Sequence, residues 1–114
     1  MKPLSISVIK RIAIVECDGE ITVDCAYQLK DFVVNSKDKY DAFVIDMSNT
    51  THLSSTGIGA LYEVSRIKGH TVVLVIPEDN EPINVVIDII GLTKVVPWFR
   101  TRKDALSYLG EVYP

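Results

Sequence analysis

Three nearly continuous apolar runs dominate the pattern of hydrophobic and polar positions along the chain. They cover residues 12–17, 42–46 and 71–76. This pattern is typical of parallel strands in a sheet that helices cover on both faces. Residues 4–8 instead alternate apolar side chains with serine, which predicts an edge strand with one face in water. A last short strand is expected at residues 94–99, where Pro97 confines it to an edge or ends it.

Apolar residues at helical spacing predict four helices that alternate with the buried strands. They cover roughly residues 23–35, 55–68, 80–90 and 101–109. A glycine follows each of the last three and can end it in the left-handed conformation: Gly69, Gly91 and Gly110. Asn80 is predicted to cap the third helix, which has Pro82 in its first turn. Thr101 and Asp104 resemble a capping box for the last one.

This alternation predicts an α/β fold with a mixed, mostly parallel sheet of four to five strands and about four helices. The chain has 114 residues, which is enough for one sizeable core and too few for two. We therefore expect one small domain over residues 1–114. The pattern leaves open whether the helices lie on both faces of the sheet or mainly on one.

The composition argues against several classes of function. The net charge is −3, and Lys and Arg are scattered, which disfavours direct binding to nucleic acid. No apolar stretch approaches the roughly 20 residues of a membrane span. The N-terminal residues also lack the apolar run of a signal peptide. We therefore expect a cytoplasmic protein that does not contact a membrane.

The cysteines and histidines are few. Without a secretion signal, Cys17 and Cys25 are expected to be reduced, unpaired and at least partly buried. Together with His52 and His70 they show no short spacing typical of metal ligands. We therefore expect no metal and no cofactor.

The stretch "HLSSTGIGAL" concentrates the candidate chemistry of the chain. Ser54, Ser55 and Thr56 stand directly before Gly57, at the predicted start of the second helix. N-capping explains one hydroxyl, because a side-chain oxygen at that position accepts a hydrogen bond from a free backbone amide. Capping leaves the other two hydroxyls unexplained.

Catalysis is the weakest interpretation of this cluster. A hydrolase nucleophile elbow requires a glycine two residues before the serine, and Leu53 stands there. A triad of Ser55 with His52 and Asp46 stays open, because a triad is defined by distances and not by sequence order. A dinucleotide fingerprint fails because Tyr62 stands where its last glycine should be.

Phosphorylation is the third interpretation. A phosphoryl group at a helix N-terminus faces free amides and the positive end of the helix dipole, so the fold tolerates it. The group adds roughly −1.5 to −2 charges. Burying that charge against a partner without a cation costs several kcal/mol. A serine at a helix start is therefore suited to switch binding.

The stretch "VIDMSNTTHLSSTGIGAL" resembles the signature of the anti-sigma factor antagonist family, the STAS domain. Asp46 and Ser48 match the family's Asp-x-Ser at the end of a buried strand. Residues 55–59 match its Ser-Ser/Thr-Gly-hydrophobic-Gly at a helix start. The stretches "CDGEIT" and "IIGLTKVVPWFRTRKDALSYL" resemble the family's flanking patterns, so the resemblance covers nearly the whole chain.

The resemblance implies a bacterial regulator that works by partner switching and is not an enzyme. In this family the unmodified antagonist binds an anti-sigma factor that is also a serine kinase, which frees a sigma factor for transcription. The kinase then phosphorylates the antagonist, and a phosphatase resets it. By position, the implied phosphoacceptor is Ser55, and its implied neighbours at the partner contact are Ser54, Thr56, Gly57 and Thr22. Self-association as a weak homodimer is compatible with this role.

Two positions depart from the family pattern. Ser54 stands where an acidic residue usually precedes the acceptor, and Thr22 stands where an aspartate usually precedes the first helix. Both substitutions remove negative charge near the acceptor. They keep open the alternative of a STAS scaffold or ligand-sensing module that is not phosphorylated.

Overall fold

A mixed sheet of five strands forms the centre of the structure, a computed structural model that describes residues 4–67 and 71–112. These residues form seven strands, of which two lie outside the main sheet. The strands are β1 (Leu4–Ile9), β2 (Ile12–Cys17), β3 (Gly19–Ile21), β4 (Ala42–Asp46), β5 (Thr50–Leu53), β6 (Thr71–Val75) and β7 (Trp98–Phe99). The helices are α1 (Val23–Ser36), α2 (Ser55–Ser65), α3 (Glu81–Ile90) and α4 (Arg102–Val112). A 3₁₀ turn at Leu92–Lys94 follows α3.

The strand order in the main sheet is β1-β2-β4-β6-β7. The outer strand β1 runs antiparallel to β2, and every other neighbouring pair is parallel. The predicted α/β fold, with a mixed and mostly parallel sheet and four helices, is confirmed. All three apolar runs are strands, and they are buried because helices cover both faces of the sheet.

The two faces carry cores of different size. On one face, buried residues of α1, α2 and α3 form the larger cluster with the sheet; they include Leu29, Val33, Leu61, Val64, Ile83 and Ile87. On the other face α4 packs Ala105 and Leu109 against the strands. Helices therefore cover both faces of the sheet, which is one of the two arrangements that the sequence left open.

A second, two-stranded sheet was not predicted. It consists of β3 and β5, which pair in parallel outside the main sheet. These strands have three and four residues, too short for a clear alternation of polar and apolar positions. Both segments therefore looked like loops in the sequence.

Several element ends differ from the sequence predictions. Helix α2 ends at Ser65 with Arg66 as its C-cap, and the predicted stop at Lys68 and Gly69 lies outside the described residues. Helix α4 continues through Gly110 instead of stopping there, because glycine inside a helix costs only about 1 kcal/mol. The predicted strand at 94–99 shortens to β7, since its first residue belongs to the 3₁₀ turn.

Two of the predicted helix caps, Gly91 and Thr101, are correct. Gly91 ends α3 in the left-handed conformation, with φ of 72°. The Thr101 hydroxyl accepts a hydrogen bond from the Asp104 amide at 3.1 Å, as a capping residue does. Asn80 occupies the N-cap position of α3, but its side chain makes no capping bond. It donates instead to the carbonyls of Met47 and Thr50, because these carbonyls lie within reach in the β4–β5 connection.

No helix within residues 4–67 and 71–112 combines the length and the apolar character that crossing a membrane requires.

Cys17 and Cys25 are unpaired and buried, as predicted. Burial raises the pKa of both thiols, and the charges of Cys25 and Asp46 add to the increase for Cys17. The reactive thiolate is therefore depleted at pH 8. We predict that the folded protein reacts far more slowly with a disulfide reagent at pH 8 than the urea-unfolded protein, which should release both thiols. Immediate reaction of either thiol in the folded protein would contradict the described burial.

Candidate functional site

Two helix starts lie side by side next to the small sheet. A single residue, Thr22, separates β3 from α1, and a single residue, Ser54, separates β5 from α2. Because β3 and β5 are parallel, both helices begin at the same end of this sheet. The Ser54 amide also donates to the Ile21 carbonyl at 3.3 Å, which ties the two starts together.

These two helices are capped by Ser54 and Thr22, which stand at positions where the family pattern usually has an acidic residue. The Ser54 hydroxyl oxygen accepts from the Gly57 amide at 3.0 Å. The Thr22 hydroxyl oxygen accepts from the Cys25 amide at 3.3 Å. Neutral hydroxyls therefore take over the capping that an acidic side chain can also perform.

Ser55 is the first residue of α2 and is exposed. Among the described residues, its hydroxyl makes no hydrogen bond, because Ser54 already caps the helix. The predicted position, an accessible hydroxyl at a helix N-terminus, is confirmed. Its role as phosphoacceptor stays a prediction. Thr56 is half-buried beside it.

A buried carboxylate anchors the connection that leads to this site. Asp46, at the end of β4, accepts hydrogen bonds from the amide and the hydroxyl of Ser48. Arg102 at the start of α4 donates to the other carboxylate oxygen from Nη2 at 2.7 Å and Nε at 3.0 Å. Its Nη2 also reaches Glu16 at 3.1 Å. These hydrogen bonds, chiefly those to Asp46, raise the pKa of Arg102.

The sequence did not predict a role for Arg102, although this residue holds the end of β4 in place. It lies 56 positions from Asp46 in the chain, and no local pattern links the two residues. The only signal for such a contact was the Asp-x-Ser match, which places a carboxylate at the end of a buried strand. A buried carboxylate needs a polar or charged partner.

A hydrolytic triad does not form. The oxygens of Asp46 are engaged by Ser48 and Arg102. His52 is exposed on β5, where its Nδ1 lies 3.1 Å from the Thr51 hydroxyl. Hydrogen bonds within the described part of the chain therefore do not join Asp46, His52 and Ser55 into a triad. His70 lies outside it.

The sequence model of the STAS domain family matches residues 4–105, which is most of the chain. The chain belongs to the STAS domain family. A search of curated proteins found no significant match to this STAS domain.

Solved structures with the same fold include proteins of different roles. An anti-sigma factor antagonist from Mycobacterium paratuberculosis is 26% identical, with a TM-score of 0.73 over 92% of this chain and 91% of that chain. The phosphorylated form of the Bacillus cell fate determinant SpoIIAA is 12% identical, with a TM-score of 0.67 over 93% and 98%. A sulfate transporter family protein from Wolinella succinogenes is 20% identical, with a TM-score of 0.76 over 90% and 87%. The last two likenesses concern the fold alone.

A groove lies between α1 and α2 of this STAS domain, and its lining includes the residue that follows Ser55. Tyr27 from α1 and Thr56 and Gly59 from α2 are among its lining residues. Further along, Lys30 and Glu63 form an ion pair at 2.6 Å across the groove. Gly59 lies one helical turn after Ser55, so it shares a helix face with that serine.

The two glycines of α2 differ in the space around the position where a side chain would begin. A Cβ on Gly57 would lie 2.9 Å from Ile21 Cγ2, 3.0 Å from Leu53 Cδ1 and 3.3 Å from the Ile21 carbonyl oxygen. Gly57 therefore allows α2 to approach the small sheet closely. Apart from its chain neighbours and the nearby backbone of α2, a Cβ on Gly59 would meet no atom of the described structure within 4 Å. Internal packing thus explains Gly57 and does not explain Gly59.

We predict opposite effects for the matched substitutions Gly57→Ala and Gly59→Ala. Gly57→Ala should lower the free energy of unfolding by about 1–3 kcal/mol, because the added methyl overpacks the contact with β3. Gly59→Ala should raise it by up to about 1 kcal/mol, because alanine has the higher helix propensity. Urea unfolding of both variants measures the difference. Equal effects of the two substitutions would refute the close approach at Gly57.

Proposed function

We propose that this STAS domain is an anti-sigma factor antagonist whose binding is switched by phosphorylation at Ser55. The unmodified chain binds an anti-sigma factor that is also a serine kinase, and a sigma factor is released. Phosphorylation of Ser55 ends the complex, and a phosphatase restores the binding form. In this proposal the chain acts in the cytoplasm by binding and catalyses no reaction itself.

The observation that carries the proposal is the division of roles among neighbouring hydroxyls. Ser54 caps α2, whereas Ser55 is exposed and its hydroxyl forms no hydrogen bond within the described residues. A kinase can therefore modify Ser55 without removing a contact that stabilises the fold. A purely structural serine would be expected to use its hydroxyl.

The electrostatics of the helix start supports a switch of binding over a switch of folding. A phosphoryl group at the first residue of α2 lies near the positive end of the dipole, which favours it by about 0.3–1 kcal/mol. The same group adds about −1.5 to −2 charges to an exposed surface. A partner that buries this surface must desolvate the charge, so its affinity decreases.

The surface around Ser55 has the side chains that protein interfaces favour. Tyr62 lies two helical turns after Ser55 and is 44% exposed, and Tyr27 across the groove is 57% exposed. Tyrosine is enriched at interfaces because it offers a large apolar area with a polar end. Gly59 lines the groove without an internal packing role, so a partner could approach the α2 backbone there.

The comparisons support both parts of the proposal. The relative that is 26% identical is an anti-sigma factor antagonist. A protein of the same fold, SpoIIAA, has been solved in a phosphorylated form.

A second function is favoured by a specific observation. Ser54 and Thr22, where the family pattern has acidic residues, are neutral caps in this structure. A STAS domain without acidic residues beside the acceptor can serve as a scaffold or ligand sensor that no kinase modifies. The likeness to a sulfate transporter family protein shows that the fold occurs outside sigma factor control.

Phosphorylation by the cognate anti-sigma kinase separates these two functions. We predict that incubation with the kinase, ATP and Mg²⁺ adds one phosphoryl group, detected by intact-mass spectrometry. Ser55→Ala should abolish the addition, whereas Thr56→Ala should retain it. Phosphorylation that persists in Ser55→Ala would move the acceptor elsewhere, and no phosphorylation of the wild type would favour the scaffold.

Binding of the anti-sigma factor tests the switch itself. Ser55→Ala should retain wild-type affinity in calorimetry, because Ser54 provides the cap. Ser55→Asp should weaken binding at least about tenfold, or ~1.4 kcal/mol, since its carboxylate must be desolvated at the contact.

The matched charge control is Gln28→Glu, which adds one negative charge at an exposed position of α1 that does not line the groove. It should bind like the wild type, and thermal melts should show that all variants are folded. Equal weakening by Gln28→Glu and Ser55→Asp would mean that net charge, and not the Ser55 site, controls the affinity.

A further inference from the structure

The outer edge of β1 is open. β1 is the terminal strand of the main sheet and pairs only with β2 in the described structure. Backbone amides and carbonyls on its other edge therefore have no strand partner within residues 4–67 and 71–112. Such an edge is a template for pairing with another strand.

β1 lacks the features that normally protect an edge strand. The segment Leu4–Ile9 contains no charged residue and no proline. Its register with β2 is continuous over all six residue pairs, so no bulge twists it away. Proteins commonly use charges, prolines or bulges to prevent edge pairing.

Apolar side chains are exposed along this same strand. Ile6, Val8 and Ile9 are 46%, 48% and 46% exposed, although they belong to a strand of the main sheet. Leu4 differs, because it is half-buried and packs against the larger core. The apolar side chains of β1 that stay exposed to solvent therefore belong to its central and last residues.

We propose that β1 pairs antiparallel with β1 of a second copy of this chain, about a two-fold axis at Ser7. In this register Ile6 of each copy lies opposite Val8 of the other, and Ser7 lies opposite itself. Because opposite residues share one face of a sheet, the apolar side chains of Ile6 and Val8 meet, whereas Ile9 lies opposite Ser5. A shift by one residue would place Ile6 opposite Ser7 and mix the two faces.

The exposed side chains also select the position of the axis. An axis at Ser7 places each of Ile6, Val8 and Ile9 opposite a residue of the partner strand. An axis at Ile6 would leave Ile9 beyond the described start of the opposite strand, which is Leu4. The axis at Ser7 therefore covers all three exposed apolar residues.

Charge favours a second copy over an unrelated strand. β1 carries no charge, so the two paired strands place no like charges against each other and require no charged partner. In the proposed register Lys10 lies opposite Leu4, so no like charges face each other. One strand edge buries far less than the roughly 1,600 Å² of a standard interface, so the dimer forms reversibly at high protein concentration.

This pairing is independent of the proposed partner switch. Ser55 begins α2, which packs against α1, whereas β1 is bonded to β2 at the sheet edge. Loss of the dimer and loss of partner binding can therefore be measured separately.

Cysteine cross-linking tests the register with a matched control. Ser7→Cys places two thiols opposite each other at the axis, and mild oxidation should give a covalent dimer. Ser5→Cys lies on the same strand and face, but its thiols would be separated by about 13 Å along the strands, too far for a disulfide. The native Cys17 and Cys25 are buried and should not contribute.

Preferential cross-linking of Ser7→Cys supports the proposal. No cross-link above the wild-type level, or equal rates for Ser5→Cys and Ser7→Cys, would overturn it.

Sedimentation equilibrium of the full chain measures the dimer without cross-linking. Ser7→Lys places two ammonium groups at the axis and should raise the dissociation constant at least about tenfold. Ile89→Lys is the control, because Ile89 is 79% exposed on α3 and outside the proposed interface. A wild-type chain that stays monomeric at millimolar concentration, or a dimer lost in Ile89→Lys and not in Ser7→Lys, would refute the pairing of β1.

Discussion

The parallel pairing of β3 with β5 is the constraint on which the candidate site depends. Each strand leads into a helix after one residue, so their pairing places the starts of α1 and α2 beside each other. Gly57 permits the close approach, because any side chain there would collide with Ile21 and Leu53. The buried Thr50 hydroxyl adds a bond of 2.6 Å to the Cys17 carbonyl. The position of Ser55 is therefore fixed by contacts that do not involve its own hydroxyl.

The small sheet is in turn connected to the main sheet by polar contacts. Asp46 is held by Ser48 and Arg102 where β4 ends. Asn80 donates to the carbonyls of Met47 and Thr50 in the same connection. Buried polar groups need partners, and removal of one partner costs about 1–3 kcal/mol or more for a charge. Helices α3 and α4 thus stabilise a segment that neither of them directly follows.

The sequence sufficed for the buried strands of the main sheet, because short apolar runs bounded by turn residues are typical of strands that helices cover. It also sufficed for an exposed serine at the start of α2, because hydroxyl residues before a helical pattern indicate a cap. It did not predict β3 and β5, since three or four residues show no reliable period. The pair of Asp46 and Arg102 and the use of Asn80 also escaped prediction. Those contacts join residues 30 to 56 positions apart, and they exist only after the chain has folded.

Separation of capping from exposure supports the proposed role of the site as a binding switch. If Ser55 capped α2, its modification would remove a contact that contributes about 0.5–2 kcal/mol, and folding and signalling would be coupled. Ser54 performs the capping instead, and its amide is bonded to β3. A charge added at Ser55 then acts mainly on whatever docks there, because the helix dipole favours it and the groove beside it contains no other described carboxylate before Glu63. The neutral cap Ser54 adds no charge at the start of α2, whose first turn contains no acidic residue, whereas the first turn of α1 contains Asp24. A phosphoryl group at Ser55 would therefore be the only negative group in the first turn of α2.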